Sequence, residues 1–188
     1  MALLTTPGGF RKRRGLAVSI AICAFLLAAN ARLLGQTAEY QIKAVFLYNF
    51  AQFVDWPAKA FPDAQAPFLI GILGEDPFGS YLDETVRGEK IGGRSLVVQR
   101  FRRANEIRNC QMLFISRSEN DRVDQDLSAL KGRSILTVSE IDDFISRGGM
   151  IRLATEKGKV RVHIRLDAVR AANLSVSSKL LRVAEIDR

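Results

Sequence analysis

Residues 68–79 read Phe-Leu-Ile-Gly-Ile-Leu-Gly-Glu-Asp-Pro-Phe-Gly. The first six are apolar or glycine with no polar alternation, the pattern of a short strand covered on both faces. The next residues stop it. Asp76 reads as a helix cap and Pro77 as a first helical position, which predicts a helix to about residue 87 with Gly88 beyond it. The same rhythm continues downstream. Strands are expected over 95–101, 112–116 and 134–138. A helical turn is expected over 104–109, and helices over 118–130 and 139–146, the last ended by Gly148-Gly149. Short strand–helix units of this kind argue for a mostly parallel sheet with helices on both sides.

The rhythm then changes. Residues 150–155 and 159–166 flank Glu156-Lys157-Gly158 and read as an antiparallel hairpin. Helices over 167–173 and 176–186 close the chain. Upstream, 39–56 reads as a helix stopped by Pro57. It is apolar around most of its circumference and is therefore expected to be buried on several sides. The fold expected is α/β: a single Rossmann-like three-layer sandwich, with a mostly parallel sheet and a C-terminal antiparallel β-hairpin as its edge.

The N-terminal residues read differently. Arg11-Lys12-Arg13-Arg14 precedes an apolar run over 15–29, and Ala29-Asn30-Ala31 offers a small-residue cleavage site. That is the pattern of a secretory signal peptide, and the run is shorter than the roughly 20 residues that span a bilayer. The organisation expected is an export leader and cleavage region over 1–35 and one folded domain over 36–188, located in the periplasm. The leader also corrects the charge. The full chain has 28 basic and 20 acidic residues, a net charge of +8. Five of the basic residues and none of the acidic ones lie in 1–35, so the remainder carries about +3, an ordinary surface. Nucleic acid is not an expected partner.

Catalytic chemistry has few candidates. His163 is the single histidine, and no serine stands in a G-x-S-x-G elbow. Cys23 leaves with the leader, so Cys110 has no intramolecular partner and reads as a buried thiol. Two cysteines and one histidine exclude the usual structural zinc site. Gly71, Gly74 and Gly79 match neither a dinucleotide fingerprint nor a P-loop. No catalytic residue, metal or cofactor is expected.

Two binding constellations remain. In 159–166 the alternation is strict: with a two-residue turn at Lys157-Gly158, Arg152 falls opposite His163 and Ala154 opposite Arg161. Arg152, Lys159, Arg161, His163 and Arg165 then share one face, which would attract an acidic partner or a small anion. The carboxyl end of the first long strand (Gly74, Asp76, Gly79) is the usual ligand crevice of an open α/β sheet, and Asn49 is a polar residue among aromatics that could face a ligand.

Phe46-Leu47-Tyr48-Asn49-Phe50 followed by Phe53-Val54-Asp55-Trp56-Pro57 resembles the opening signature of the YfiR family. The match continues in order through residues 72–79, 113–119, 135–139, 148–151 and 177–181, essentially all of the chain after the leader. The resemblance implies a periplasmic Rossmann-like protein without enzymatic activity. It also implies a partner: an inner-membrane signalling protein, a diguanylate cyclase or sensor kinase, repressed through its periplasmic sensor domain in cyclic di-GMP signalling. An outer-membrane lipoprotein would relieve that repression. Two departures stand out. Cys110 lacks the partner cysteine of characterised relatives, and Arg165 replaces an asparagine frequent in the family.

The partner-binding residues expected are Tyr48, Asp55, Trp56 and Pro57 at the first helix and its exit, with Arg152, Arg161, His163 and Arg165 on the hairpin. The alternative reading is a periplasmic module for a nucleotide or amino-acid-like anion, held by Asn49, Gly74, Asp76 and Gly79. A homodimer is compatible with both.

Overall fold

A computed structural model describes residues 37–187; the expected export leader lies outside them. Helix α1 occupies 37–53. It is followed by β1 (Val54–Asp55), β2 (Phe68–Leu73), α2 (Tyr81–Val86), β3 (Lys90–Ile91), β4 (Arg94–Phe101) and β5 (Met112–Ile115). Then come α3 (Val123–Leu130), β6 (Leu136–Ser139), β7 (Ile151–Glu156), β8 (Lys159–Arg165), α4 (Leu166–Ala171), β9 (Ser175–Val176), α5 (Ser178–Leu181) and β10 (Glu185–Asp187). None of the described helices is long and apolar enough to cross a membrane.

The architecture is mixed α/β. Eight strands form one sheet in the order β10-β8-β7-β6-β5-β2-β4-β3, parallel except for the pairs β3–β4 and β7–β8. β2 lies centrally, which is why its sequence lacks alternation: both faces are buried. Ile70 and Ile72 join one cluster with Met112, Phe114, Leu136 and Val138, covered by Ala44, Leu47 and Phe50 of α1. Leu73 joins the other with Leu113, Ile115 and, from α3, Val123 and Leu130. Each fully buried side chain of this size stabilises the fold by roughly 1.5–3 kcal/mol. Gly71 has to be glycine: a Cβ there would lie 2.7 Å from Leu113 and 2.9 Å from Phe101.

The hairpin register is the expected one, with Arg152 opposite His163 and Ala154 opposite Arg161. Lys157 (φ 49°) and Gly158 (φ 73°) both take positive φ, the type I′ geometry that matches strand twist. The hairpin is not the sheet edge, however, because β10 pairs in parallel with the outer side of β8.

Several expected boundaries are corrected. α1 ends at residue 53 because Val54 and Asp55 pair with Val176 and Ser175. The helix expected from Pro77 begins at Tyr81: Asp76 accepts a hydrogen bond from the Phe78 amide (2.7 Å), and Gly79 follows at φ +56°. Residues 117–122 form a 3-10 turn rather than the first turns of an α-helix. The segment after β6 is turns, not a helix. Ser139 belongs to β6, where its hydroxyl donates to the Ile115 carbonyl (2.7 Å) and accepts from the Ile141 amide (3.1 Å). The closing helix shrinks to the four residues of α5, since its flanks pair as β9 and β10.

Candidate interaction site

Between residues 40 and 54, α1 and the first residue after it contain one charged side chain, Lys43, and the fold turns it inward. Lys43 is 1% exposed and ion-paired with Glu140, itself 4% exposed. Tyr40, one turn earlier, donates to Glu140 Oε1 (2.9 Å). Arg117 donates to the Glu140 carbonyl (3.3 Å) and holds its Nε 3.8 Å from the carboxylate. Buried charges persist only when paired in this way. Neither Lys43 nor Glu140 stood out in the sequence. The available signal was a lone lysine in an apolar helix.

With its lysine inside, α1 from Tyr40 onward presents solvent with an uncharged face, and the half-buried Glu39 precedes it. Gln41 and Gln52 are exposed, Asn49 and Phe46 half-buried, and Ile42 and Val45 remain 49% and 48% exposed. The expectation of a helix buried on several sides fails here, because among the described residues no element covers this side.

The helix exit is tied down. Trp56 donates from Nε1 to the Gln111 carbonyl (2.8 Å) and packs edge-on against Phe68 at 4.8 Å. Gln111, 1% exposed and not anticipated, donates to the Ala60 carbonyl and accepts from the Leu69 amide. Pro57 is half-buried and opens a 3-10 turn at Ala58–Ala60. Tyr48 donates to Glu89 (2.7 Å), and that carboxylate holds its phenol above the usual range. Asp55 is exposed and accepts from the Ser175 hydroxyl (3.2 Å).

The basic hairpin face is present but not bare. Arg152 pairs with Asp142 (3.1 Å), and Arg165 with Asp167 (3.0 Å). His163 is flanked by Asp187 at 3.3 Å, Glu156 at 3.7 Å and Glu185 at 3.9 Å. Two of those carboxylates, Glu185 and Asp187, arrive on β10, which replaces the end of the helix expected over 176–186. Of the four cations of this row, Lys159, next to the turn, and Arg161 are exposed, while Arg152 and Arg165 are half-buried.

At the carboxyl ends of β2, β5 and β6 lies a hollow of about 410 Å³ lined by Tyr40, Glu75, Asp76, Ser116, Arg117 and Glu140, among others. Gly74 does not line it but packs against Ser118, which does: at φ +88°, a Cβ there would lie 2.4 Å from the Ser118 hydroxyl. Asp76 lines the hollow, though its second oxygen is held by Arg100 at 2.9 Å. Asn49 and Gly79 do not reach it. Three carboxylates against one arginine make this a poor seat for an anion. Cys110 is buried, and desolvation pushes its thiol up to about 12, far from a thiolate nucleophile. Among the described residues no group of three His, Cys, Asp or Glu side chains is placed to hold a metal.

The molecule is thus a mixed α/β protein whose most distinctive surface is an uncharged helix face rather than a cluster of reactive groups. A family model described as YfiR/HmsC-like matches residues 40–185, and the chain belongs to that family. A search of curated proteins found no match. Membership implies a periplasmic regulator of diguanylate cyclase signalling rather than an enzyme.

Proposed function

We propose that the chain, once exported and freed of residues 1–35, is a periplasmic repressor that acts through protein contact. Its partner is an inner-membrane diguanylate cyclase with a periplasmic sensor domain, and an outer-membrane lipoprotein competes for the repressor. The observation carrying this reading is the solvent face of α1. Protein interfaces are depleted of charge at their centre and enriched in apolar area. Gln41, Ile42, Val45, Asn49 and Gln52 have that composition, and the tied exit at Tyr48 and Trp56 keeps the helix rigid beneath them. Holding one conformation of the sensor domain shifts the population of the whole cyclase towards its inactive state. Asp55, beside the exit, would lie on the rim of the contact.

The test is a deletion strain scored for cyclic di-GMP. Loss of the gene should raise the nucleotide, and the wild-type chain should restore it. Ile42→Asp/Val45→Asp should not restore it despite equal periplasmic abundance. Full restoration by the double variant removes α1 from the interface. Loss of dimerisation in the purified double variant would instead assign the face to a second copy of the chain.

A further inference from the structure

The register of the sheet leaves a gap that the proposed repressor contact does not use. β7 pairs with β6 only at Val138 and Ser139, so Leu136 and Thr137 have no strand beside them on that side. In that place the chain lays Met150 and α4. The Met150 amide donates to the Thr137 hydroxyl (3.2 Å), and the Arg165 amide to the Met150 carbonyl (2.9 Å). From α4 and its end only Ala168, Ala171 and Ala172 line the space, too small to fill it. A cavity of about 570 Å³ results, floored by Leu127, Leu130, Ile135 and Met150. That size lies within the range of small-molecule sites, which are mostly apolar with a few placed polar groups.

The placed groups here are cationic. Lys131, Arg133 and Arg147 line the cavity against one acid, Asp124. Two of the three are pre-oriented. Asp124 accepts from Arg147 at 3.0 and 2.8 Å, and the Ile107 and Arg108 carbonyls accept from Arg133 at 3.0 and 2.7 Å. Lys131 is exposed at the mouth. The adjoining hollow shares Arg133 and adds Lys59 and Arg108, so positive charge continues past the rim. Guanidinium groups already held in place lose less entropy when a ligand arrives.

We propose that the cavity between α3 and α4 binds a small monoanionic amphiphile, a carboxylate carrying an apolar body. The body lies over Leu127, Leu130 and Ile135, and the carboxylate meets Lys131 and Arg133. The site is separate from the α1 face, and its test does not depend on the repressor reading.

Octanoate is the probe, with octylamine as the control of equal length and opposite charge. Amide chemical shifts of the purified chain are followed during titration. Octanoate should produce saturable shifts centred on Leu127, Leu130, Ala168 and Ala171, and octylamine none there. Ala168→Leu/Ala171→Leu, which fills the cavity and keeps good helix formers in α4, should weaken octanoate by at least about tenfold. Lys131→Glu, an exposed change, should weaken it by roughly threefold to tenfold. The proposal is overturned by absence of saturation below about 5 mM, by shifts centred elsewhere, or by octylamine binding equally well. If the filled variant does not fold, Lys131→Glu and the octylamine control decide.

Discussion

The outward faces of α1 and of the β7–β8 hairpin are opposites. The hairpin face carries Arg152, Lys159, Arg161, His163 and Arg165, while the α1 face over residues 40–53 carries no charge. By composition, the hairpin looks like the place where something binds. The structure reverses the ranking, because a charged row is only as attractive as its neighbours leave it. Carboxylates from β10, from the turn after β6 and from α4 meet the hairpin row. Ile42 and Val45 stay about half exposed, with no charged row to meet. The comparison breaks most readily from beneath α1, where Lys43 is drawn inward. Lys43→Ala would leave the buried Glu140 with only the Tyr40 hydroxyl and the more distant Arg117, and should destabilise the fold by about 3–5 kcal/mol, or roughly 6–20 °C in Tm. Lys43→Met with Glu140→Leu should recover most of that loss, since replacing a whole buried pair by apolar groups is often neutral. Chemical denaturation of the three proteins measures both effects. A small loss for the single change would mean that Glu140 relaxes to solvent.

The second way to break the comparison acts from outside. Ile42→Asp/Val45→Asp changes two half-exposed side chains, so its effect on stability should be no more than about 0.5 kcal/mol per site. Its effect on affinity for the cyclase sensor domain should reach about 2 kcal/mol, near thirtyfold, if the residues sit at the centre of the contact. Calorimetry against the isolated sensor domain reads this directly. A stability loss as large as the affinity loss would make α1 a packing element rather than a docking one.

What the sequence made legible follows the distinction between local and long-range causes. FLIGIL announced a central strand because burial on both faces is written into consecutive residues. Lys157-Gly158 announced the hairpin and its register because a type I′ turn is a local requirement. The charge partners were not legible. Glu185 and Asp187 reach His163 only because β10 pairs with β8, and that pairing overrides the helical look of residues 176–186. Glu140 reaches Lys43 across 97 positions of sequence. The one local sign of this pairing is the lone lysine inside an apolar helix, since a buried charge needs a partner. For the same reason Trp56 reads in sequence as a contact residue, while its indole is spent on Gln111.

A third region tests whether matched charge is a general rule here. Asp126 on α3 is 8% exposed, and its Oδ2 has no hydrogen-bond partner. Burial, and then the neighbouring Glu119 carboxylate, hold its acid above the usual range. A carboxyl group whose folded pKa is raised destabilises the fold above that pKa. The penalty fades as pH falls through the folded value and is gone once both folded and unfolded forms are protonated. Asp126→Asn should therefore stabilise the protein by about 1 kcal/mol at pH 7, about 2–4 °C in Tm. The gain should shrink on acidification through the carboxylate range. A gain that is constant with pH would point to packing instead of ionisation.

The smallest effect expected is the one the sequence would have ranked first. Arg161 is an exposed cation in the middle of the hairpin row, so reversing it perturbs the charge of that face with little structural consequence. Arg161→Glu should alter stability by less than about 0.5 kcal/mol. Affinity for the sensor domain should change by less than about twofold at physiological salt, where an exposed charge outside the contact is largely screened. The carboxylates already flanking His163 leave the neighbourhood close to neutral, so the row has little net field to lose. A tenfold fall in affinity would place the hairpin inside the interface beside α1. A fall confined to low salt would show that the row steers the encounter without forming part of the bound contact.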